Sequence, residues 1–537
     1  MEDIDLYNII DKLDQEDDNG NIEYKLELIN LDEDKFNRRC TQMKYRIYEG
    51  MGEAFYFIGV KDDGTLIGLN EDEYNESVKN LDLIASKIDC SIIKINESIN
   101  HNKFIGEFLI RENDNTKYIN IKISVAGNVD SGKSTTIGTL TKGILDDGRG
   151  KARIHVFNYK HEIDTGRTSS IAHQILGYDK NGNTINGNSW SEIANKSSKL
   201  ISFYDLAGHE KYLKTTIYGL SSLYPDYCLI LIGANMGINH MTREHIGLCI
   251  NLKIPFIIVI TKIDIVPVNV LEDTMARINN MCKNRIRKIP YIIKNISDLI
   301  NISKNIKSDS IIPIIQISNV TNYNLDLLKQ LFHLLPQRND YNQNIDKHVE
   351  FLIDNTYSVT GHTTIVSGML KSGTIKTNDN LILGPFYDST YKQIKVRSIH
   401  LNYKELKEAK AGSYICISLK NAMRREIKKG MMLLSDDIKL KIAVKKFIAQ
   451  IHILHSPTTI REGYQPFIHV EQVRQSVSIL EIKKESDNDK VLRTGDKASV
   501  LLEFMNKPEY IKEGMRLIFR EGKVKAIGKI IEIYLDN

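Results

Sequence analysis

Nine residues, Gly127–Thr135 (GNVDSGKST), constrain the fold of this 537-residue chain more than any others. They follow the alternating apolar run Ile121, Ile123, Val125 and precede a helix-compatible segment. The local reading is therefore strand, glycine-rich turn and helix N-terminus. In that setting the backbone N–H groups of Asn128, Val129, Asp130, Ser131, Gly132, Lys133, Ser134 and Thr135 can cradle phosphate oxygens. Lys133 reaches toward the β- and γ-phosphates, and the Ser134 hydroxyl is placed to ligate Mg2+.

Further parts of a nucleotide site follow in order. The run ISFYD (201–205) reads as a strand whose terminal Asp205 can hold Mg2+ through water, and Gly208 lets a backbone N–H face the γ-phosphate. FIIVI (256–260) is apolar throughout, as a strand buried on both faces should be, and empties into Thr261-Lys262-Ile263-Asp264. Asp264 can accept from guanine N1–H and N2–H2 together, a contact that adenine does not offer, while Lys262 lies along the base. IIPIIQI (311–317) ends in Ser318-Asn319-Val320, positioned to close over the base. These strand ends describe a guanine-nucleotide site.

The expected architecture is multidomain α/β plus β: an acidic flexible tail (1–20), a small α+β module (21–117), a P-loop GTPase domain with a doubly wound sheet (118–340), and two β-barrels (345–438 and 440–537). Past residue 346 the pattern changes to short strands punctuated by Gly368, Gly373, Gly384, Gly412 and Gly430. No apolar run is long enough to span a bilayer, so membrane partners are not expected. Six cysteines without a C-x-x-C pair point to a reducing compartment, the cytoplasm (or a host's cytoplasm for a viral chain). A net charge of +4 does not by itself argue for nucleic acid, and no DNA partner is expected. The stretch Asn181–Ser198 reads as a long loop near the first switch, and its Trp190 as a fluorophore that reorders with nucleotide. His452 and His455, three apart in a strand, are expected on opposite faces. Arg424, Arg425, Lys428, Lys429 and Arg474 are candidate phosphate contacts in the barrels.

The motifs resemble those of translational GTPases of the elongation-factor type, and within them the GTP-binding protein 1 / GTP-binding protein 2 family. The segments that carry the resemblance include GEAFYFIGVKDDGTLIGL (52–69), HEIDTGRTSS (161–170), DLAGHEKYLKTT (205–216), TREHIGL (242–248) and LRTGDKA (492–498). The resemblance implies GTP and GDP as substrate and product, with Mg2+ held by Ser134, Thr168 and, through water, Asp205. It makes Thr168 the switch threonine and His209 the histidine that positions the attacking water. It also implies aminoacyl-tRNA and the ribosome as partners. Alternatives on the same fold are a ribosome-rescue or surveillance GTPase with a protein cargo, a GTP-gated adaptor for RNA decay, and sulfate activation.

Two positions depart from the pattern usual in elongation factors. Thr261 stands where the guanine motif usually begins with Asn, so one contact to the base or the phosphate loop is expected to weaken. Arg167 stands where an apolar residue usually faces Val129 across the catalytic histidine. It is read as an RNA contact, as a stabiliser of developing γ-phosphate charge, or as a solvated arginine.

Overall fold

The computed structural model describes residues 13–535, apart from 18, 101, 114–117, 186, 188, 359–363, 402–403, 485–489 and 522–523. The flexible-tail expectation for residues 1–12 lies outside the described residues. Residues 13–17 run along the module instead of joining a tail: Leu13 N donates to Gly64 O, and Glu16 takes the Tyr24 N–H and pairs with Arg46 at 2.6 Å.

The module comprises β1 (Ile22–Lys25), α1 (Glu33–Glu49), β2 (Glu53–Ile58), α2 (Glu71–Lys87), β3 (Cys90–Asn100) and β4 (Lys103–Glu112), with sheet order β1-β2-β4-β3. Its helices start where side chains can satisfy orphan N–H groups. Asp32 accepts from Lys35 N, and Asn70 with Glu73 forms a reciprocal capping box. Every residue of β2 is buried, because its two faces enter different cores. Ala54, Tyr56 and Ile58 pack beneath the module's helices, while Phe55 and Phe57 join the core of the following domain.

That domain contains β5 (Ile119–Gly127), α3 (Lys133–Lys142), α4 (Lys160–Thr165), β6 (Ala172–Tyr178), β7 (Thr184–Ile185), α5 (Trp190–Lys196), β8 (Lys199–Asp205), α6 (Leu213–Ser222), β9 (Tyr227–Gly233), α7 (His240–Asn251), β10 (Phe256–Thr261), α8 (Val268–Asn280), β11 (Ile289–Ile292), α9 (Ile296–Asn305), β12 (Ile311–Gln316) and α10 (Leu325–Leu334). The sheet order is β11-β12-β10-β9-β5-β8-β6-β7. It is parallel from β11 to β8, with β6 and β7 added antiparallel at one edge. Both sides are covered, so β8, β9 and β10 are buried throughout. The carboxyl ends of β5, β8, β10 and β12 lead into the candidate nucleotide residues, the usual place for a ligand in such a sheet.

The Asn181–Ser198 stretch is not the open loop expected from its composition. Asp179 Oδ1 accepts from Asn181 N and Asn183 N at 2.8 Å each, turning β6 into β7, and Ser189 caps α5. Trp190 meets the His173 ring edge-on at 4.7 Å, and His173 stacks on Tyr204 of β8 at 4.7 Å. Trp190 therefore packs on folded structure beside β6 and β8.

One compact unit holds the described residues up to Leu213, Pro225–Gly247 and Ile254–Arg338; the other holds Lys214–Tyr224, Leu248–Lys253 and the chain from Asn339. The second unit contains two barrels. β13 (Glu350–Ser358), β14 (Thr364–Ser372), β15 (Thr374–Lys376), β16 (Asn380–Gly384), β17 (Lys392–Leu401), β18 (Lys404–Leu406), β19 (Glu408–Lys410), β20 (Tyr414–Lys420) and β21 (Met432–Leu434) belong to the first. Its ring β16-β21-β13-β14-β20-β17 closes through β16–β17 pairing. The second barrel, β22 (Val444–His455), β23 (Phe467–Val470), β24 (Val473–Lys483), β25 (Lys497–Phe504), β26 (Arg516–Glu521) and β27 (Val524–Leu535), closes in the order β22-β25-β24-β23-β26-β27. Closure leaves no open edge for association. A β-bulge between Ile453 and His455 interrupts the alternation of β22, with Ile453 opposite Ala526 and His455 opposite Lys525. His452 and His455 consequently both face outward, which corrects the opposite-face expectation.

Candidate functional site

The loop after β5 is shaped by what its neighbours leave room for. Gly127 has φ +150°, and a side chain there would press on Leu231 O and Ser131 Oγ; Gly132, at φ +84°, opens α3 in the left-handed region. Ser131 Oγ donates to Asn128 O at 2.9 Å, and Lys133 Nζ donates to the same carbonyl at 2.7 Å. The loop is thus folded back on its own lysine. Val129 is half-buried and Asp130 and Thr135 sit at the loop's open side, Asp130 exposed and Thr135 half-buried. Gly208, on the segment after β8, stands directly against this loop. A Cβ there would lie 2.7 Å from Gly127 O and 2.8 Å from Asn128 C, as well as on Lys133 Nζ, so only glycine fits.

Three oxygens from three segments converge beside it. Ser134 Oγ lies 2.5 Å from Asp205 Oδ2 and 2.9 Å from Thr168 Oγ1, and Thr168 Oγ1 donates to Asp205 Oδ2 at 3.1 Å. All three residues are buried, and among the described residues Asp205 Oδ1 has no hydrogen-bond partner. Burial pushes the Asp205 carboxyl up to about 6, against the pull of Lys133 and the two hydroxyls. A buried carboxylate with a free oxygen and two hydroxyls is a hard oxygen donor set of the kind Mg2+ takes.

Thr168 is held in place by a residue that reading the sequence overlooked. Glu162, in α4, has no accessible surface. Its Oε1 accepts from Ser169 N, Ser169 Oγ, Ser170 N and Ser170 Oγ at 2.7–3.1 Å, and its Oε2 accepts from Asn158 N and Tyr159 N at 3.0 and 3.3 Å. Burial raises its pKa, but these donors, led by Ser169 and Ser170 N–H, outweigh it and leave the carboxyl below its ordinary value. The signal was present as an acid six residues before Thr168 with two serines following, though each residue alone reads as surface.

The residues expected to face guanine come to the same end of the sheet. Thr261, which stands where the usual guanine motif has Asn, donates from Oγ1 to Ser131 O at 2.8 Å and so ties the end of β10 to the phosphate loop. The link to the loop expected to weaken is therefore made by the hydroxyl. Asn319 Nδ2 donates to Thr136 Oγ1 at 2.9 Å, tying the end of β12 to α3. Ser318 Oγ takes Val320 N and Thr321 N at 3.2 and 3.1 Å, fixing the turn. Lys262 has φ +60°, and Asp264 lies exposed in the single turn Ile263–Ile265.

Two candidates stand apart from the oxygen cluster. His209 is exposed, and its Nδ1 accepts from Lys211 N at 3.1 Å, capping the turn Glu210–Tyr212. Arg167 is exposed next to the buried Thr168.

The barrel unit carries a cleft of about 320 Å³ between Asn251 and Leu252 on one side and the outer face of its C-terminal barrel on the other. Arg516, Lys529 and Gln450 pair across β26, β27 and β22, and His452 pairs with Lys497 on β25 in the next outward row. Among the described residues no carboxylate lines this cleft. Two of the basic barrel residues expected to meet phosphate instead lie over rings: Lys429 Nζ is 5.2 Å from the Tyr218 centroid, and the Arg474 guanidinium is 5.5 Å from that of Phe467.

A phosphate loop, a buried serine–threonine–aspartate cluster and two closed barrels define the class. The elongation factor Tu GTP binding domain family matches residues 118–337, its domain 2 family residues 363–434 and its C-terminal domain family residues 441–534. The chain is an elongation factor Tu-like translational GTPase. It belongs to the GTP-binding protein 1/2 family. It is 41% identical to GTP-binding protein 1 of Xenopus laevis over 95% of this chain and 78% of the relative. It is 40% identical to human GTP-binding protein 2 over 96% and 88% respectively. Elongation factor 1-alpha of Archaeoglobus fulgidus is 27% identical over 71% of this chain and 89% of the relative. Among solved structures, translation elongation factor SelB from Methanococcus maripaludis with the GTP analogue GppNHp is similar at a TM-score of 0.56. It has 20% identity and covers 78% of this chain and 80% of that one. Among the described residues no helix is long and apolar enough to cross a membrane.

Proposed function

We propose that the protein binds and hydrolyses GTP and uses the nucleotide state to hold and release aminoacyl-tRNA on the ribosome. The observation that carries this reading is the placement of Thr168 against Ser134 and Asp205. A segment outside the phosphate loop thereby places an oxygen where a γ-phosphate and its metal would be sensed.

The parts take these roles. Backbone N–H groups of residues 128–135 and Gly208 bind phosphate, with Lys133 turning from Asn128 O to the β- and γ-phosphates. Asp264 selects guanine, Lys262 lies along the base, Thr261 braces the loop, and Ser318, Asn319 and Val320 close the base pocket. Ser134 and Thr168 would hold Mg2+ directly and Asp205 through water; the ion would supply charge neutralisation at the β- and γ-phosphates. His209 leaves its cap on Lys211 N and orients the attacking water. Arg167, next to Thr168, stabilises developing charge; Arg167→Ala then lowers stimulated turnover roughly tenfold or more, and an unchanged rate leaves it a solvated side chain.

The carboxylate-free cleft with Lys497, Arg516 and Lys529 supports a polyanionic cargo. The elongation-factor names of the more distant relatives point the same way. The test is binding of charged against uncharged tRNA with a GTP analogue and with GDP. Binding and protection of the aminoacyl ester only with the analogue, lost in Thr168→Ala, are expected. Nucleotide-independent or absent tRNA binding would direct the search to a protein cargo.

A further inference from the structure

Glu162 closes both ends of one segment. Its Oε2 takes Asn158 N and Tyr159 N, which precede α4, and its Oε1 takes the N–H and hydroxyl groups of Ser169 and Ser170, which follow Thr168. Six hydrogen bonds therefore converge on one buried carboxylate, and they divide by oxygen according to which end of the segment donates. The donor groups are all uncharged. A buried charge held this way is costly to leave unmatched, so the carboxylate is favourable only while both ends stay gathered around it. Neighbouring contacts tighten the same knot: His161 Nε2 lies 2.8 Å from Ser169 Oγ, and Asn158 Nδ2 reaches Ser170 Oγ at 3.3 Å.

The position of Thr168 follows. Its Oγ1 is 2.9 Å from Ser134 Oγ, and the next peptide N–H in the chain, that of Ser169, is anchored 2.7 Å from Glu162 Oε1. With that peptide fixed, little backbone freedom remains between the anchor and the hydroxyl. Losing the Ser169 and Ser170 anchors would free the segment that presents Thr168 without touching the phosphate loop, the guanine residues or α3.

We infer that Glu162 is a positioning residue that latches the Thr168 segment shut, so that latch closure and γ-phosphate sensing are one equilibrium. This rests on reading Thr168 as the γ-phosphate sensor. A carboxylate that only caps the short helix α4 would serve both nucleotide states alike; a latch would serve the triphosphate state alone.

The experiment measures affinity for a non-hydrolysable GTP analogue and for GDP, with melting temperature in GDP, in Glu162→Gln, Glu162→Asp, Ser169→Ala/Ser170→Ala and Thr168→Ala. Glu162→Gln should weaken analogue binding about tenfold or more, the scale of losing hydrogen bonds to a charged group. GDP affinity and melting temperature should stay within about twofold and a few degrees on the same scale. Ser169→Ala/Ser170→Ala removes the two hydroxyl donors, with their contacts to His161 and Asn158, but keeps both backbone donors, and should give a smaller selective loss; Glu162→Asp, which keeps the charge, should recover part of it. Equal losses for analogue and GDP, accompanied by a lower melting temperature, would overturn the latch in favour of a helix cap. Should Glu162→Gln not fold, the serine pair decides alone. If Thr168→Ala discriminates normally, the sensor reading itself fails; if Thr168→Ala loses discrimination while Glu162→Gln keeps it, only the latch fails.

Discussion

The Lys199 ammonium at the start of β8 meets the Glu53 carboxylate of the N-terminal module at 2.9 Å, with Lys199 fully buried and Glu53 nearly so. Arg111 Nε joins from β4 at 2.8 Å to the same carboxylate, and Lys199 also donates to His333 O and Leu335 O at 2.6 and 2.8 Å. Burial alone would raise the Glu53 carboxyl; the charges of Lys199 and Arg111 override it and keep the group below its ordinary value. Removing the acid strands two buried cations. Glu53→Ala should cost about 3–5 kcal/mol, read by urea unfolding. Module and GTPase domain should also lose stability in one transition, and separate melting of the module would refute the coupling.

His333 gives this seam a pH dependence. Burial, reinforced by the charges of Arg111 and Lys199, holds the imidazole far below its usual pKa, and Arg111 Nη2 lies 2.9 Å from its Nε2. The unfolded chain binds a proton at this histidine near pH ~6.5 while the fold stays neutral there. The unfolded state thus binds more protons, and stability falls as pH drops below that value, by up to ~1.4 kcal/mol per unit. Glu53 contributes in a separate, lower window, losing its share as pH falls through the carboxylate range. Between pH 6.5 and 5 His333→Gln should flatten the slope by close to one proton; an unchanged slope would count against it.

Thr261 offers a sharper test of the proposed guanine site than deleting the Asp264 carboxylate. Its hydroxyl spans from β10 to Ser131 O, and valine keeps its shape without the donor. Thr261→Val should speed GDP release about tenfold, the effect of one lost buried hydrogen bond, with preference for guanine over adenine kept. Stopped-flow release of a labelled nucleotide would read it. A rate like the parent's would mean the bridge has no part in retention.

If RNA is the cargo, the barrel cleft should reveal it through salt. Lys497→Ala, Arg516→Ala and Lys529→Ala should each weaken tRNA binding across sequences and lower the log–log salt slope by about 1. Variants that keep the parent slope would place the RNA elsewhere.

How much could be read from the chain depended on how local each feature was. The phosphate loop, Asp205-Leu206-Ala207-Gly208 and the Thr261–Asp264 run are contiguous, and their strands carry continuous apolar patterns, so they were legible. Glu53, Arg111, Lys199 and His333 lie far apart, and each alone reads as a surface charge; only the fold shows them sharing one buried pocket. The outward turn of His455 depended on a bulge at Leu454 that no periodicity announces. Composition misled at Asn181–Ser198, where Asn181, Gly182 and Asn183 form a tight turn and Ser189 caps a helix.

The two-faced strand β2 means that the catalytic domain has no natural cutting point at its N-terminal side. A fragment beginning at Ile119 would bare the surface that Phe55 and Phe57 now cover and strip Lys199 of its counterion. Unlike a detachable module, residues 22–112 supply part of the GTPase domain's own core through Phe55 and Phe57 of β2.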